Sequence, residues 1–163
     1  MNDLSAFGIE VGQGKYEEEA FYGVALVYTA LFNQVAKYLD RYELTPAKMN
    51  VLMIIKHQGK ELGLSQREIG QRLMVTPSNM TRLLDKLERD HLIERFARAG
   101  DKRVNVIRVS KKGAALLDLA WPGYTLVMKR AMDSISVADQ KTMAALLLKW
   151  FAGLKRTGDE HDD

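Results

Sequence analysis

Residues 64–109, LSQREIGQRLMVTPSNMTRLLDKLERDHLIERFARAGDKRVNVIRV, contain the signals that decide the fold. Ser65-Gln66-Arg67-Glu68 has the form of a capping box, in which the serine hydroxyl and the glutamate carboxylate each bind the other's backbone amide. Thr76 followed by Pro77 has the form of a second helix start, since proline suits the first helical position. The stretch therefore predicts helices from Gln66 to about Leu73 and from Pro77 to about Asp90, joined by a tight turn at residues 74–75.

The second of these helices has one apolar and one polar face when it is wound at about 100° per residue. Its apolar face, which we expect to pack on the core, consists of Met80, Leu83, Leu84 and Leu87. Its polar face consists of Ser78, Arg82, Asp85 and Arg89, flanked by Asn79, Thr81 and Lys86. One interpretation is a solvated face in which Asp85 pairs with Arg82 and Arg89. The alternative is a helix-turn-helix, whose second helix meets base edges in the major groove of DNA.

A β-hairpin follows the helix pair. Residues 92–96 and 104–109 are predicted strands, and residues 97–103 form a basic tip with Gly100 at the turn. We expect Ile107 and Val109 to face the core, and Val104, Val106 and Arg108 to lie on the other face. A hairpin beside a helix-turn-helix is a wing, and an arginine projecting from its tip suits the negative potential of a minor groove.

Charge is distributed unevenly along the 163 residues. Between residues 63 and 109 there are ten basic and six acidic side chains, a net charge of +4, whereas residues 1–43 have three basic and seven acidic, a net charge of −4. The central stretch is therefore the side that would face a polyanion. The chain has no cysteine, and His57, His91 and His161 are too scattered to bind a metal, so we expect no metal site and no cofactor. With no nucleophile beside a base and no nucleotide-binding loop, we expect no enzyme activity.

The two ends of the chain are predicted to be helices that need partners. The helix from Ala20 to about Arg41 and the last helix, after Ser136, are apolar on more than one face, and such helices must bury a second face as well. We therefore assign residues 20–43 and 111–155 as dimerisation helices. Between them, Thr45 and Pro46 begin a helix that we expect Gly59 to end. Ser110 caps the long helix after the hairpin, Pro122 is expected to kink it, and Ser136 with Asp139 forms another capping box. We expect the terminal helices to form a dimer interface through Phe21, Val24, Tyr28, Met143, Leu147, Trp150, Phe151 and Leu154.

The remaining segments are expected to be mobile. Residues 1–19 contain Gly8, Gly12 and Gly14 and are predicted to be a flexible arm that ends in an acidic first helical turn, and residues 156–163 are predicted to be a disordered tail. The chain has no apolar run of the roughly 18 to 20 residues that a membrane span requires. It also begins without a signal-peptide pattern, so we expect a cytoplasmic protein that does not enter membranes.

The order of these elements, with VTPSNMTRLLDKLERDHLIER at residues 75–95 and Asp101-Lys102-Arg103 in the wing, resembles the multiple antibiotic resistance regulator (MarR) family of bacterial transcription factors. The resemblance implies a mainly α fold with a small β-hairpin wing, in which a winged helix-turn-helix at residues 44–110 lies between dimerisation helices. It also implies a homodimer on a near-palindromic operator, with Arg103 in the minor groove and held there by Asp101. The family usually has glycine before L-I-E-R; here His91 is expected to adopt the left-handed conformation instead.

The function that these observations predict is sequence-specific binding of double-stranded DNA by a transcriptional repressor. Phosphate contacts are expected from Ser65, Arg67, Thr76, Arg95, Arg98 and Lys102. Base contacts are expected from Ser78, Asn79 and Arg82, with Thr81 and Lys86 beside them. A pocket for a small aromatic or anionic effector is expected to be lined by Tyr28, Phe32, Tyr38, His57, Trp121, Tyr124 and Arg130. The alternative is a winged-helix protein-interaction module without DNA binding, which the same fold permits.

Overall fold

A computed structural model describes residues 4–5, 8–9, 12, 14–73, 77–98 and 101–159; at 77, 98, 101–104 and 156–159 it describes the backbone alone. The helices are α1 (Tyr16–Leu39), α2 (Pro46–Ile54), α3 (Gln66–Leu73), α4 (Pro77–Arg89), α5 (Lys111–Ala131) and α6 (Val137–Asp159). The strands are β1 (Leu64–Ser65), β2 (Ile93–Arg98) and β3 (Asp101–Val109). The chain divides into two compact units, which end and begin at Thr125 and Leu126. None of the described helices has the length and hydropathy to cross a membrane.

Helix α1 begins at Tyr16 and places Glu17, Glu18 and Glu19 in its first turn, where carboxylates favour the helix dipole. The acidic first turn is confirmed, and it makes the last four residues of the predicted arm helical. Earlier in that arm, Leu4 and Ile9 are buried, and the Ile9 amide donates to the Leu4 carbonyl over 3.2 Å. The arm that we expected to be flexible therefore contains packed side chains.

Helix α2 starts as predicted, because the Thr45 hydroxyl accepts a hydrogen bond from the Lys48 amide and proline occupies the first helical position. The helical stretch ends at Gly59 as predicted, but without a left-handed glycine. The helix widens into a π-helical turn, Ile55–Gly59, and the residue with positive φ is Lys60, at 45°, rather than Gly59. Gly59 packs closely on Leu64, because a Cβ there would lie 3.3 Å from Cγ of Leu64 and would press on that side chain.

Helices α3 and α4 have the predicted bounds to within one residue. In the capping box, the Ser65 amide donates to the Glu68 carboxylate over 2.7 Å, and the Glu68 amide donates to the Ser65 hydroxyl over 3.3 Å. The turn predicted at residues 74–75 and the cap predicted at Thr76 lie outside the described residues.

The C-terminal end of α4 is a Schellman motif. The Leu92 amide donates to the Leu87 carbonyl and the His91 amide to the Glu88 carbonyl, each over 2.9 Å. His91 has φ 60°, so the predicted left-handed residue in place of glycine is confirmed. The helix therefore ends where the resemblance placed its end, without the glycine.

The sheet is antiparallel and has the order β1-β3-β2. Strand β1 was not predicted; it pairs Leu64 with Ile107 and Ser65 with Val106. The prediction of a seven-residue tip was wrong, because the ladder of β2 and β3 extends to Arg98 and Asp101, past an irregularity between Ala97 and Arg98. Backbone pairing does not require apolar side chains, so the strands continue into the basic sequence.

The core of the first unit lies beneath α4 and the sheet. Its side chains of lowest exposure include Leu39, Met49, Leu52, Ile55, Ile69, Met80, Leu84, Leu87, Ile93, Ile107 and Leu117. Val109 packs against this core as predicted. Val106 is also buried, although we expected it on the uncovered face. Both faces of β3 are therefore covered at this position, which strand alternation alone does not reveal.

Helix α5 is capped by Ser110, whose Oγ accepts from the Gly113 amide over 2.9 Å and donates to the His91 carbonyl over 2.7 Å. The helix continues through Pro122 without a break, as predicted. Helix α6 begins at the predicted capping box, where the Asp139 amide donates to the Ser136 hydroxyl. Its helical backbone extends to Asp159, and the disordered tail expected at residues 156–163 stays a prediction.

Candidate nucleic-acid interface

Helix α4 presents the two faces that the sequence predicts. Met80, Leu84 and Leu87 are at most 1% exposed, and Leu83 is partly buried against the same core. On the other side of the helix the side chains are exposed: Ser78, Asn79, Thr81, Arg82, Lys86 and Arg89. The buried leucines fix the rotation of α4, so the polar residues are held toward solvent by packing on the opposite face.

Helix α3 is joined to α4 on the exposed side by a hydrogen bond that was not predicted. Gln66 Nε2 donates to Thr81 Oγ1 over 2.7 Å, while Ile69 of α3 is fully buried. Arg67, on the next position of α3, is exposed. The exposed edge of the helix pair therefore combines one cation of α3 with the polar face of α4.

Ser65, a predicted phosphate contact, is less accessible than Arg67. It is half-buried, and its hydroxyl donates to the Glu68 carboxylate over 2.7 Å in addition to capping α3. A phosphate would have to replace Glu68 as the acceptor of that hydroxyl hydrogen. Contact between Ser65 and DNA stays a prediction, with this competing bond against it.

Arg95 of β2 forms two ion pairs with α4. Its Nη2 lies 2.6 Å from Oδ1 of Asp85, and its Nη1 lies 3.2 Å from Oε2 of Glu88. The suggestion that Asp85 pairs with Arg82 and Arg89 is thereby corrected: its carboxylate binds Arg95, and Arg89 donates to the Asp85 backbone carbonyl, over 3.3 Å. The predicted phosphate contact of Arg95 would have to compete with these two carboxylates.

Several predicted DNA contacts cannot be placed. The side chains of Thr76, Arg98, Asp101, Lys102 and Arg103 lie outside the described residues. For the last four of these residues the backbone is described, and it runs in the paired strands β2 and β3. Their roles in the wing therefore stay predictions.

A buried lysine holds the C-terminal end of α4. Lys48 is 5% exposed, and its Nζ lies 2.6 Å from Oδ2 of Asp90 and donates to the Glu43 carbonyl over 3.1 Å. Lys112, at the start of α5, donates to the Asp90 carbonyl. The hydrogen bond from Lys48 holds the pKa of Asp90 below its ordinary value of 3.8. Sequence reasoning missed this group, although a lysine within the apolar sequence PAKMNVLMI was a signal for it.

The predicted effector residues lie on α1, on the π-helical turn and on α5. Tyr28 and Phe32 are exposed on α1 with ring centroids 5.8 Å apart, and Trp121 and Tyr124 stack on α5 at 5.5 Å. His57 is exposed on the π-helical turn, and Arg130 is exposed in the second unit.

Tyr38 has a structural environment within the first unit. Its hydroxyl donates to the Ala120 carbonyl over 2.9 Å and lies 3.1 Å from the Tyr42 hydroxyl. Burial raises the pKa of Tyr38, and the hydrogen bond with Tyr42 raises it further. A Cβ at Gly123 would collide with the Tyr38 ring, so this glycine admits the tyrosine beside Pro122. Tyr38 therefore joins α1 to α5, and its predicted contact with an effector stays a prediction.

The predicted dimer-interface residues are accessible in the single chain. On α1 the exposed side chains are Phe21, Val24 and Tyr28, and on α6 they are Leu147, Trp150, Phe151 and Leu154, with exposures between 39% and 65%. Met143 is half-buried. Each of the two units thus carries apolar side chains that its own packing does not cover.

A helix pair with a buried face, a polar exposed face and an adjacent hairpin defines a winged helix-turn-helix protein. Residues 44–104 match the model described as "MarR family". The HTH-type transcriptional repressor MdtR of Bacillus subtilis strain 168 is 25% identical over 139 residues, which are 83% of this chain and 88% of that protein. The match identifies residues 44–104 as similar to the MarR family, and relatives such as MdtR are named as transcriptional regulators.

Two solved structures show the same fold. The MepR–DNA complex of Staphylococcus aureus has a TM-score of 0.74 and 23% identity, and covers 81% of this chain and 96% of its own. CouR from Rhodococcus jostii RHA1, bound to p-coumaroyl-CoA, has a TM-score of 0.72 and 22% identity. The match covers 83% of this chain and 93% of the CouR chain. At these identities the likeness concerns the fold, and the mainly helical winged-helix architecture predicted from the sequence is confirmed.

Proposed function

We propose that this chain is a MarR-family repressor that binds double-stranded DNA as a homodimer. The observation that carries the proposal is the exposed face of α4, where Ser78, Asn79 and Arg82 stand opposite three buried side chains. Arginine reads guanine and asparagine reads adenine through paired hydrogen bonds in the major groove. A helix held rigidly by its other face is suited to this reading because its polar groups are positioned before binding.

Positive charge supports a DNA partner. Arg67, Arg82 and Lys86 are all exposed on α3 and α4, and the predicted wing cations Arg98, Lys102 and Arg103 follow in the hairpin. Neutralisation of phosphates by such groups releases counterions, so affinity should fall steeply as salt increases. Among proteins of this fold, MepR has been solved with DNA, and the relative MdtR is named a repressor.

The uncovered apolar side chains support a homodimer. Side chains such as Phe21 and Tyr28 of α1 and Leu147 and Phe151 of α6 lose contact with water when a second subunit covers them. A symmetric dimer places two copies of α4 about one helical turn of DNA apart, which matches a near-palindromic operator. Light scattering during gel filtration should give twice the chain mass.

The proposal also includes a small-molecule effector that relieves repression. The stacked Trp121 and Tyr124 and the pair Tyr28 and Phe32 offer aromatic faces to a planar aromatic or anionic compound. CouR, which shares the fold, was solved with p-coumaroyl-CoA. Such a ligand would relieve repression if it bound the DNA-free state more tightly than the DNA-bound state.

The test is selection of DNA sites from a random pool with the purified protein, followed by fluorescence anisotropy on the selected site across a salt series. We expect a near-palindromic consensus, and a log affinity that falls linearly with log salt concentration. A scrambled duplex of the same length is the control for specificity. Absence of binding at low salt would overturn the proposal and favour a protein-interaction module.

A further inference from the structure

Arg95 lies on the face of β2 that packs toward α4. Side chains two residues apart in a strand point to the same face, so Arg95 shares its face with Ile93, which is 2% exposed. Glu94 and Phe96, on the opposite face, are exposed. The guanidinium is therefore directed along the protein toward α4 rather than outward from the hairpin.

Its two partners are neighbours on α4. Asp85 and Glu88 are three residues apart, a spacing that puts both carboxylates on one side of a helix. One guanidinium nitrogen lies 2.6 Å from Asp85 and the other lies 3.2 Å from Glu88. A planar guanidinium that bridges two carboxylates fixes direction as well as distance, which a single ammonium does not. Asp85 is also one turn from Arg82, the predicted base reader.

These contacts have a consequence for binding a polyanion. Asp85 and Glu88 are half-exposed beside the proposed DNA-binding face, where unpaired carboxylates would repel phosphates. Arg95 neutralises part of this charge and ties the hairpin to α4. The two elements of a winged helix must reach different grooves at once, so their relative placement governs affinity.

We propose that Arg95 is a positioning residue, which holds the β2–β3 hairpin against α4 through Asp85 and Glu88 so that both elements reach DNA together. The proposal rests on the DNA-binding function proposed above. It replaces the earlier expectation that Arg95 binds phosphate, and the two roles predict opposite effects when the carboxylates are removed.

The decisive variant is Asp85→Asn combined with Glu88→Gln, measured by anisotropy on the selected operator. If Arg95 positions the hairpin, losing its partners weakens binding by roughly three- to tenfold, even though two negative charges have been removed. If Arg95 binds phosphate, the same change frees its guanidinium and removes repulsion, so binding becomes tighter. Glu94→Gln is the matched control: it neutralises an exposed carboxylate on the other face of the same strand and should not weaken binding.

A salt series on Arg95→Gln gives a second, independent measurement. Loss of one phosphate contact from each subunit would lower the slope of log affinity against log salt by about 2, whereas loss of positioning leaves the slope unchanged while affinity falls. Arg95→Lys should restore only part of the affinity, because one ammonium cannot bridge both carboxylates in the same geometry. Thermal unfolding of each variant checks that the protein is folded at the assay temperature.

The outcomes separate the two proposals. Tighter binding by the double carboxylate variant, or a reduced salt slope for Arg95→Gln, overturns the positioning role and leaves DNA binding intact. Failure of the wild-type protein to bind any DNA overturns the proposed function itself. Weaker binding by the carboxylate variant with an unchanged slope for Arg95→Gln supports both.

Discussion

On one face of α4 Met80, Leu84 and Leu87 are at most 1% exposed, while on the opposite face Ser78, Asn79 and Arg82 are open to solvent. The buried face packs against side chains from α2, α3 and the sheet, so a substitution there removes packing contacts in the core. Substitutions on the exposed face remove little buried area, so we expect them to cost little stability. We infer that stability and DNA reading are divided between the two faces, and that variants of each face should affect different measurements.

Two groups of ion pairs formed by residues at α4 differ in the same way. Lys48 is buried where it meets Asp90 at the end of the helix, whereas Arg95 meets Asp85 and Glu88 at the half-exposed side. A buried charge without its partner is costly, whereas pairs near the surface contribute little to stability. We therefore expect Lys48 and Asp90 to affect unfolding, and Arg95 to affect DNA affinity.

The largest effect should come from the buried face. Leu84→Ala should lower the free energy of unfolding by about 2 to 5 kcal/mol, through lost burial and a cavity in the core. Leu84→Met, which nearly conserves volume, should cost less than about 1.5 kcal/mol. Denaturant titration at fixed protein concentration measures both. A Leu84→Ala protein as stable as the wild type would mean that this face of α4 does not support the fold.

Asp90→Asn should have the next largest effect on the free energy of unfolding, because it leaves the buried Lys48 ammonium without its carboxylate. We expect a loss of about 2 to 3 kcal/mol, below the value for a fully buried pair because the Asp90 side chain is 39% exposed. Asp133→Asn, at an exposed aspartate of the other unit, is the control and should change stability little.

The loss from Asp90→Asn should depend on pH. Because the pKa of Asp90 is lower in the folded state, its contribution is complete above the ordinary value of 3.8 and is lost as the pH falls through the folded-state pKa. The wild type and Asp90→Asn should therefore differ most at neutral pH and converge in acid. A stability difference that stays constant down to low pH would show that the ion pair is not its source.

Arg103→Ala tests the proposed binding of DNA by the wing, the β2–β3 hairpin. We expect operator affinity to fall by about 1.5 to 3 kcal/mol, the usual worth of a hydrogen bond to a charged group, while the dimer and its stability are retained. Asp101→Ala should weaken binding in the same direction. Anisotropy and light scattering on the same samples measure the two properties. Unchanged operator affinity in Arg103→Ala would show that the wing assignment is wrong.

The features of the fold that the sequence predicted correctly are those that depend on residues close together in the chain. Capping at Ser65 and Ser110, the faces of α4 and the left-handed His91 each depend on a few neighbouring residues, and each is found in the structure. The winged-helix class follows from their order along the chain.

Contacts between distant residues explain what the sequence did not predict. Strand β1 has two residues and shows no periodicity, and its partner Ile107 lies far along the chain. Lys48 pairs with Asp90 across 42 positions, and Arg95 with Asp85 across ten, from a strand to a helix. Because ion pairs have no spacing rule between elements, Arg95 could be identified as basic from sequence but not as a partner of α4.

The central claim is that the exposed face of α4 reads bases, and Arg82→Ala tests it most directly. The measurement is anisotropy of wild type and variant on the selected operator and on a set of duplexes with single base-pair changes. We predict that Arg82→Ala loses about 1 to 3 kcal/mol on the operator and no longer discriminates at the position that Arg82 reads, with unfolding unchanged. Equal weakening on every duplex, with discrimination intact at every position, would contradict the claim and place Arg82 on phosphate.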